Sequence, residues 1–160
     1  MRPFKKILIP TDFSDASRQA IAYGIELAAK FQAEAHLLHV VEENLYTDFS
    51  YAEGILKPVP VFNDLMNARQ EMLDRAVDAS RQEGREIDLQ VGSGNLFSHL
   101  KSGYPASVIV ELARELPADL VVIATQGRSG LAHLILGSVA ERVVRECPCP
   151  VLTFRKAGAT

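Results

Sequence analysis

Three glycines, Gly127, Gly130 and Gly137, surround a short apolar run in ATQGRSGLAHLILGS (Ala124–Ser138), which ends on a serine. Inside a helix each would cost roughly 1 kcal/mol relative to alanine, so the segment needs unusual torsions or a close backbone approach. Anion binding is the chemistry such a backbone supports. Successive amides of QGRSG can form a concave set of donors, and a helix starting near Ser138 adds unsatisfied N–H groups and the positive end of its dipole. Ser138 offers a hydroxyl as a further donor. The same SVAE is also a capping box, in which Ser138 bonds the third helical amide and Glu141 reaches back, and both uses are compatible because other amides stay free. No lysine follows the glycines as in a Walker A loop, and the spacing is not that of a dinucleotide fingerprint. Arg128 is the loop's own cation, readable equally as a phosphate neighbour or as a solvated side chain.

These residues need elements to place them. Short apolar runs alternate with stretches of helical period, the pattern of βαβ units around a parallel sheet. Phe4–Pro10 reads as a first strand, with Ile7, Leu8 and Ile9 buried on both faces. From Ser14, which reads as the N-cap, a helix carries Ala20, Ile21, Ile25, Leu27, Ala28 and Phe31 on its apolar side. Glu34–Val41 is a second strand, in which His36 and His39 read as strand residues and not as ligands; His133, in the glycine segment, is an exposed side chain or a weak phosphate neighbour. Glu42–Phe62 has no period and reads as a long loop or lid. A helix follows over Asn63–Gly84, with Leu65, Met66, Met72, Leu73, Ala76 and Val77 as its inner side. Ile87–Val91 and Leu96–Ser102 flank GSGN as one broken strand or a hairpin insertion. Ser107–Leu116 is a helix, ADLVVIAT a buried strand, Ser138–Glu146 a helix and PVLTFR a last strand. Open parallel sheets bind ligands beyond the carboxyl ends of their strands, where the strand order reverses. A sheet that starts at the first strand and doubles back places Asp12 opposite Gly127 across that crevice. Asp12 is then either a helix-capping carboxylate or a ribose ligand.

Composition narrows the function classes. The 160 residues suit one domain, 1–160, and 48% hydrophobic residues suffice for a sizeable core. A net charge of -3, a pI near 5.8 and scattered basic residues argue against nucleic-acid binding. No apolar run reaches membrane-spanning length, and the apolar stretch before Pro10 is too short for a signal peptide, so no membrane partner and a cytoplasmic location are expected. Cys147 and Cys149, in CPCP, lack a second Cys or His cluster for zinc and read as small hydrophobes beside a strand, with a redox or metal role as the weaker alternative.

KKILIPTDFS, LLHVVE and TQGRSGLAHLILGSVAERVVRECPCPVLTF together resemble the universal stress protein family over nearly the whole chain. The motif of its nucleotide-binding branch is Gly, two residues, Gly, nine residues, Gly, then Ser or Thr. Gly127, the nine residues Arg128–Leu136, Gly137 and Ser138 match it, while its first glycine falls on Ala124. Alanine is acceptable there if the backbone stays in the β region. The resemblance implies a doubly wound α/β fold with a five-stranded parallel sheet of order 3-2-1-4-5 and helices on both faces. It also implies ATP, with magnesium, across the ends of the first and fourth strands. Pro10, Thr11 and Asp12 would meet the adenosine end, the Val40 backbone the adenine edge, and Gly127, Arg128, Gly130, Gly137, Ser138 and Val139 the ribose and phosphates.

Phosphoryl transfer needs a held metal, a positioned nucleophile and neutralised charge, and this loop lacks the usual lysine. A nucleotide-binding regulator of the stress response is therefore preferred to an enzyme, with any ATP hydrolysis slow. The alternative is a nucleotide-free dimeric interaction module of the same fold. In either case the last strand, at the sheet edge, invites antiparallel pairing into a homodimer, which a proline at Leu152 is expected to weaken.

Overall fold

The computed structural model describes residues 4–42, 67–78, 95–125 and 136–155. Its strands are β1 (Lys6–Thr11), β2 (Glu34–Val41), β3 (Leu96–Ser102), β4 (Leu120–Ala124) and β5 (Val151–Phe154). They pair only in parallel, in the order β3-β2-β1-β4-β5. The helices are α1 (Asp15–Phe31), α2 (67–78), α3 (Pro105–Glu115) and α4 (Ser138–Glu146). This is the doubly wound α/β architecture and strand order that the sequence led us to expect.

Helices cover both faces of the sheet, which is why β1 is an unbroken apolar run. Ile7 and Ile9 pack with Ile21 and Ile25 of α1 and with Leu73 and Val77 of α2. Leu8 packs the other way, with Ile109 and Leu112 of α3 and Val143 of α4. Ile7, Leu8 and Ile9 are fully buried, and each such side chain contributes about 1.5–3 kcal/mol. α1 starts as expected, Ser14 Oγ accepting the Ser17 N–H at 3.2 Å. It lies unusually close to β1: a Cβ on Gly24 would stand 2.5 Å from Ile9 Cδ1.

Several boundaries and faces differ from expectation. β1 begins at Lys6 and runs on to Thr11, and β4 is shorter than ADLVVIAT. α3 begins at Pro105, where a missing N–H costs nothing in a first turn. Leu73 and Val77 of α2 are buried but Met72 is exposed, because only one side of the helix meets the sheet. Leu65 and Met66 lie outside the described residues, as do 43–62 and Ile87–Val91. Leu96–Ser102 is an edge strand parallel to β2, so it is not one arm of a hairpin with its neighbour in the sheet.

His36 is a strand residue, buried on β2; its Nδ1 lies 3.0 Å from Nε2 of His99 on β3 and its Nε2 3.1 Å from Glu34 Oε2. Burial lowers both histidine pKa values below the ordinary 6.5, against the opposing pull of Glu34 on His36. The half-buried thiols of Cys147 and Cys149 stand 3.6 Å apart beside α4. Burial and the contact with Cys147 push the Cys149 thiol up to about 12, so at neutral pH it is a thiol and not a reactive thiolate. No helix among the described residues is long and apolar enough to cross a membrane.

Candidate functional site

The two central strands part company at their carboxyl ends. β1 stays paired with β2 as far as Thr11 and His39, but its pairing with β4 ends at Leu8 and Val121. Pro10 lies just beyond that point, with no N–H to offer a neighbour. The opening is the switch point of the sheet, and it leads into a cleft of about 400 Å³, within the range of small-molecule sites.

Eight of the expected site residues line this cleft: Pro10, Thr11 and Asp12 after β1, Val40 on β2, Ala124 on β4, and Gly137, Ser138 and Val139 at the start of α4. Gly127, Arg128, Gly130 and His133 lie outside the described residues. Ala124 is a strand residue and is not among the positive-φ positions, so the backbone condition for alanine in the motif is met.

Gly137 answers the question its residue type raises. Its φ of -72° and ψ of 155° suit any residue, so torsion does not require glycine. Space does: its N–H donates to the Thr125 carbonyl at 2.7 Å, and a Cβ would stand 3.0 Å from that same oxygen. The chain that leaves β4 at Thr125 is thus clasped to the chain that enters α4. Gly137 is also the N-cap, with no side-chain cap bond, and Glu141 N–H donates to its carbonyl at 2.8 Å. Ser138 is therefore the first helical residue, which overturns the capping-box expectation for Ser138 and Glu141. Ser138, Val139 and Ala140 line the cleft, and amides at these first positions have no partner within a helix.

Asp12 sits in a tightly built corner. Its Oδ1 accepts the Ser14 N–H at 3.0 Å, so its carboxylate orders the approach to α1 while Ser14 serves as the cap. The Thr11 hydroxyl is engaged with Ser17 Oγ at 3.1 Å and with the Phe13 N–H at 3.1 Å. Phe13 has φ 63°, a left-handed conformation that is uncommon for a bulky residue. Its ring lies 4.3 Å from that of His39, whose Nδ1 is 2.8 Å from the Thr11 carbonyl and donates to it. The buried His39 therefore braces both neighbours of Asp12, a role its place in an apolar strand does not announce.

Three further contributors were not expected from the sequence. Thr125 is buried, lines the cleft, and its hydroxyl has no hydrogen-bond partner among the described residues. Pro105 and Ile109 of α3 form an apolar wall, and Arg69 of α2 is the sole lysine or arginine among the described lining residues, which also include the carboxylates Asp12 and Glu42. Thr125 directly follows β4 and could have been found from that position. Arg69 could not, since only tertiary packing brings α2 to the cleft. Uncapped helical amides, the Ser138 hydroxyl, a buried hydroxyl without a partner among the described residues and a backbone that leaves no room for a Cβ fit a phosphorylated ligand.

Comparison with known proteins agrees with this architecture. The model of the universal stress protein family matches residues 3–155. Universal stress protein MJ0531 of Methanocaldococcus jannaschii is 36% identical over 153 residues, covering 96% of this chain and 83% of its own length. The structure of MJ0577 from the same organism superposes with a TM-score of 0.75 at 25% identity, over 99% of this chain and 100% of that one. A universal stress protein of Archaeoglobus fulgidus in complex with dAMP shares the fold, with a TM-score of 0.63 at 22% identity over 96% of this chain and 99% of that one.

Proposed function

Because the chain belongs to the universal stress protein family, we propose that it is a cytoplasmic nucleotide-binding regulator that holds ATP, with magnesium, in the cleft between the ends of β1 and β4. The observation that carries this reading is the start of α4, where Gly137 brings uncapped amides against the end of β4 without leaving room for a side chain. Phosphates would meet the amides and hydroxyl of Ser138, the Val139 amide, and Gly127, Arg128 and Gly130 of the glycine segment. Asp12 would bind the ribose, with Pro10, Thr11 and Ala124 beside the adenosine, and the Val40 backbone would read the adenine edge. With a loop that lacks the usual lysine, ATP is held and turned over slowly at most. The first test is the nucleotide content of the purified protein, by denaturing extraction and chromatography. ATP or ADP in the extract, and calorimetric binding of ATP with magnesium, are the expected results; no binding of any adenine nucleotide would overturn the proposal in favour of a nucleotide-free interaction module.

Assembly is the second part of the proposal, favoured by the edge position of β5 and the exposure of its Leu152. We propose antiparallel pairing of β5 between two copies. The register moves the informative substitution: Pro150 and Phe154 carbonyls accept from Val121 and Thr125 of β4 at 3.0 and 2.8 Å, so the backbone groups of Leu152, in phase with them, face β4. Those of Val151 and Thr153 face outward. Thr153→Pro should therefore weaken the dimer, whereas Leu152→Pro damages the sheet itself. Sedimentation of the native protein as monomer alone at micromolar concentration would refute the pairing.

A further inference from the structure

α2 and α3 reach the cleft from opposite faces of the sheet. α2 buries Leu73 and Val77 in the layer that contains Ile7 and Leu37, and α3 buries Ile109 in the layer that contains Leu8 and Leu38. A flat ring lying between them beside Val40 has an apolar wall, Pro105 and Ile109, on one side and Arg69 on the other. We infer that Arg69 closes over the base of the bound nucleotide, its guanidinium stacked on the purine face. This rests on the reading of the cleft as an adenine-nucleotide site.

The chemistry suits a base better than a phosphate at this place. Uncapped amides and the Ser138 hydroxyl gather at the α4 end of the cleft, whereas Arg69 enters with α2, a helix packed in the layer of Leu37 and Leu96 from β2 and β3. A guanidinium is planar, weakly hydrated and attracted to the face of a π system. Moving it onto a ring costs little, because among the described residues its hydrogen-bond partner is the Met72 thioether at 3.5 Å, a weak acceptor. Asp12 and Glu42, also in the lining, give the cation a complementary setting. A cation over a π face does not distinguish one purine from another, so Arg69 contributes affinity and leaves the choice of base to the β2 edge.

The test is calorimetry of adenosine, AMP, ADP and ATP with the native protein, Arg69→Met and Arg69→Lys, with circular dichroism to confirm that the variants fold. Methionine keeps most of the stem and loses the stacked cation; lysine keeps the charge and loses the plane. Arg69→Met should weaken all four ligands by one common factor of about 3- to 30-fold, the worth of a cation–π contact, with Arg69→Lys recovering part of it. A loss absent for adenosine and growing with each phosphate, rescued fully by lysine, would overturn the inference in favour of a phosphate contact. Unchanged binding in Arg69→Met would also overturn it, while leaving the nucleotide site intact. A native protein that binds none of the four ligands would instead bring down the site reading, and this inference with it.

Discussion

Replacing Gly137 by alanine separates a glycine needed for torsion from one needed for space. The backbone torsions there, φ -72° and ψ 155°, accept alanine, so no conformational penalty arises. The new methyl would stand 3.0 Å from the Thr125 carbonyl, inside the 3.4 Å at which ordinary contact begins, and the two chains must separate by a few tenths of an ångström. The bond that resists this is the 2.7 Å Gly137 N–H to Thr125 carbonyl bond itself. Weakening it costs about 0.5–1.5 kcal/mol of stability, or roughly 2–4 °C in Tm per kcal/mol for a chain of this size. The same displacement carries the amides of α4 away from the end of β4, so ATP affinity should fall about 3- to 10-fold, a loss of comparable energy. Urea denaturation and ATP calorimetry of Gly137→Ala, beside the native protein, read both quantities. A variant with native stability and native affinity would refute the claim that close approach is why glycine stands here.

Ser138→Ala should leave stability within about 0.5 kcal/mol, because Ser138 follows the N-cap and makes no cap bond, yet weaken ATP by about 1–2 kcal/mol, as calorimetry would show. A stability loss of about 1 kcal/mol without an affinity loss would restore the capping box. Gly24→Ala gains about 1 kcal/mol of helix propensity but must push aside the buried Ile9, at a cost of about 1–3 kcal/mol. Its urea midpoint should therefore drop, and a gain would show that α1 and β1 are less closely packed. Lowering pH should destabilise the protein: His36 and His99 titrate below the unfolded value of 6.5, so the unfolded chain binds more protons. Their contribution is present above pH 6.5 and is lost as pH falls through 6.5 towards the depressed folded values. Lys6 and Glu34 face this pair, as do Lys101 and Glu115, and His99→Gln should flatten the dependence in urea titrations across this range.

The architecture was legible because its signals are local. Ile7–Ile9 had to be covered on both sides, Ser14 is a cap with its acceptor in place, and Glu34–Val41 and Ser138–Glu146 fall at the bounds that their runs suggested. What failed was decided between elements. Met72 and Leu73 are adjacent in an apolar stretch, and only the tilt of α2 on the sheet buries one and exposes the other. Gly137 and Ser138 are both good cap residues, and the Thr125 carbonyl decides that the glycine takes the position. At the site, the eight residues that the motif and the resemblance suggested do line one cleft, and Thr125 could have been found from its place after β4, but His39, Arg69 and the α3 wall arrive through packing that no spacing records.

A single residue bears on two surfaces. The N–H of Thr125 donates to the Phe154 carbonyl at the end of β5, and its C=O accepts from Gly137 at the mouth of the cleft. A ligand that displaced Thr125 would therefore also pull on Phe154, the last residue of the edge strand. Linkage then runs both ways: whatever factor a nucleotide adds to association along β5, association along β5 adds to the affinity for that nucleotide. Cellular concentrations of ligand and of the protein itself would thus be read through the same residue.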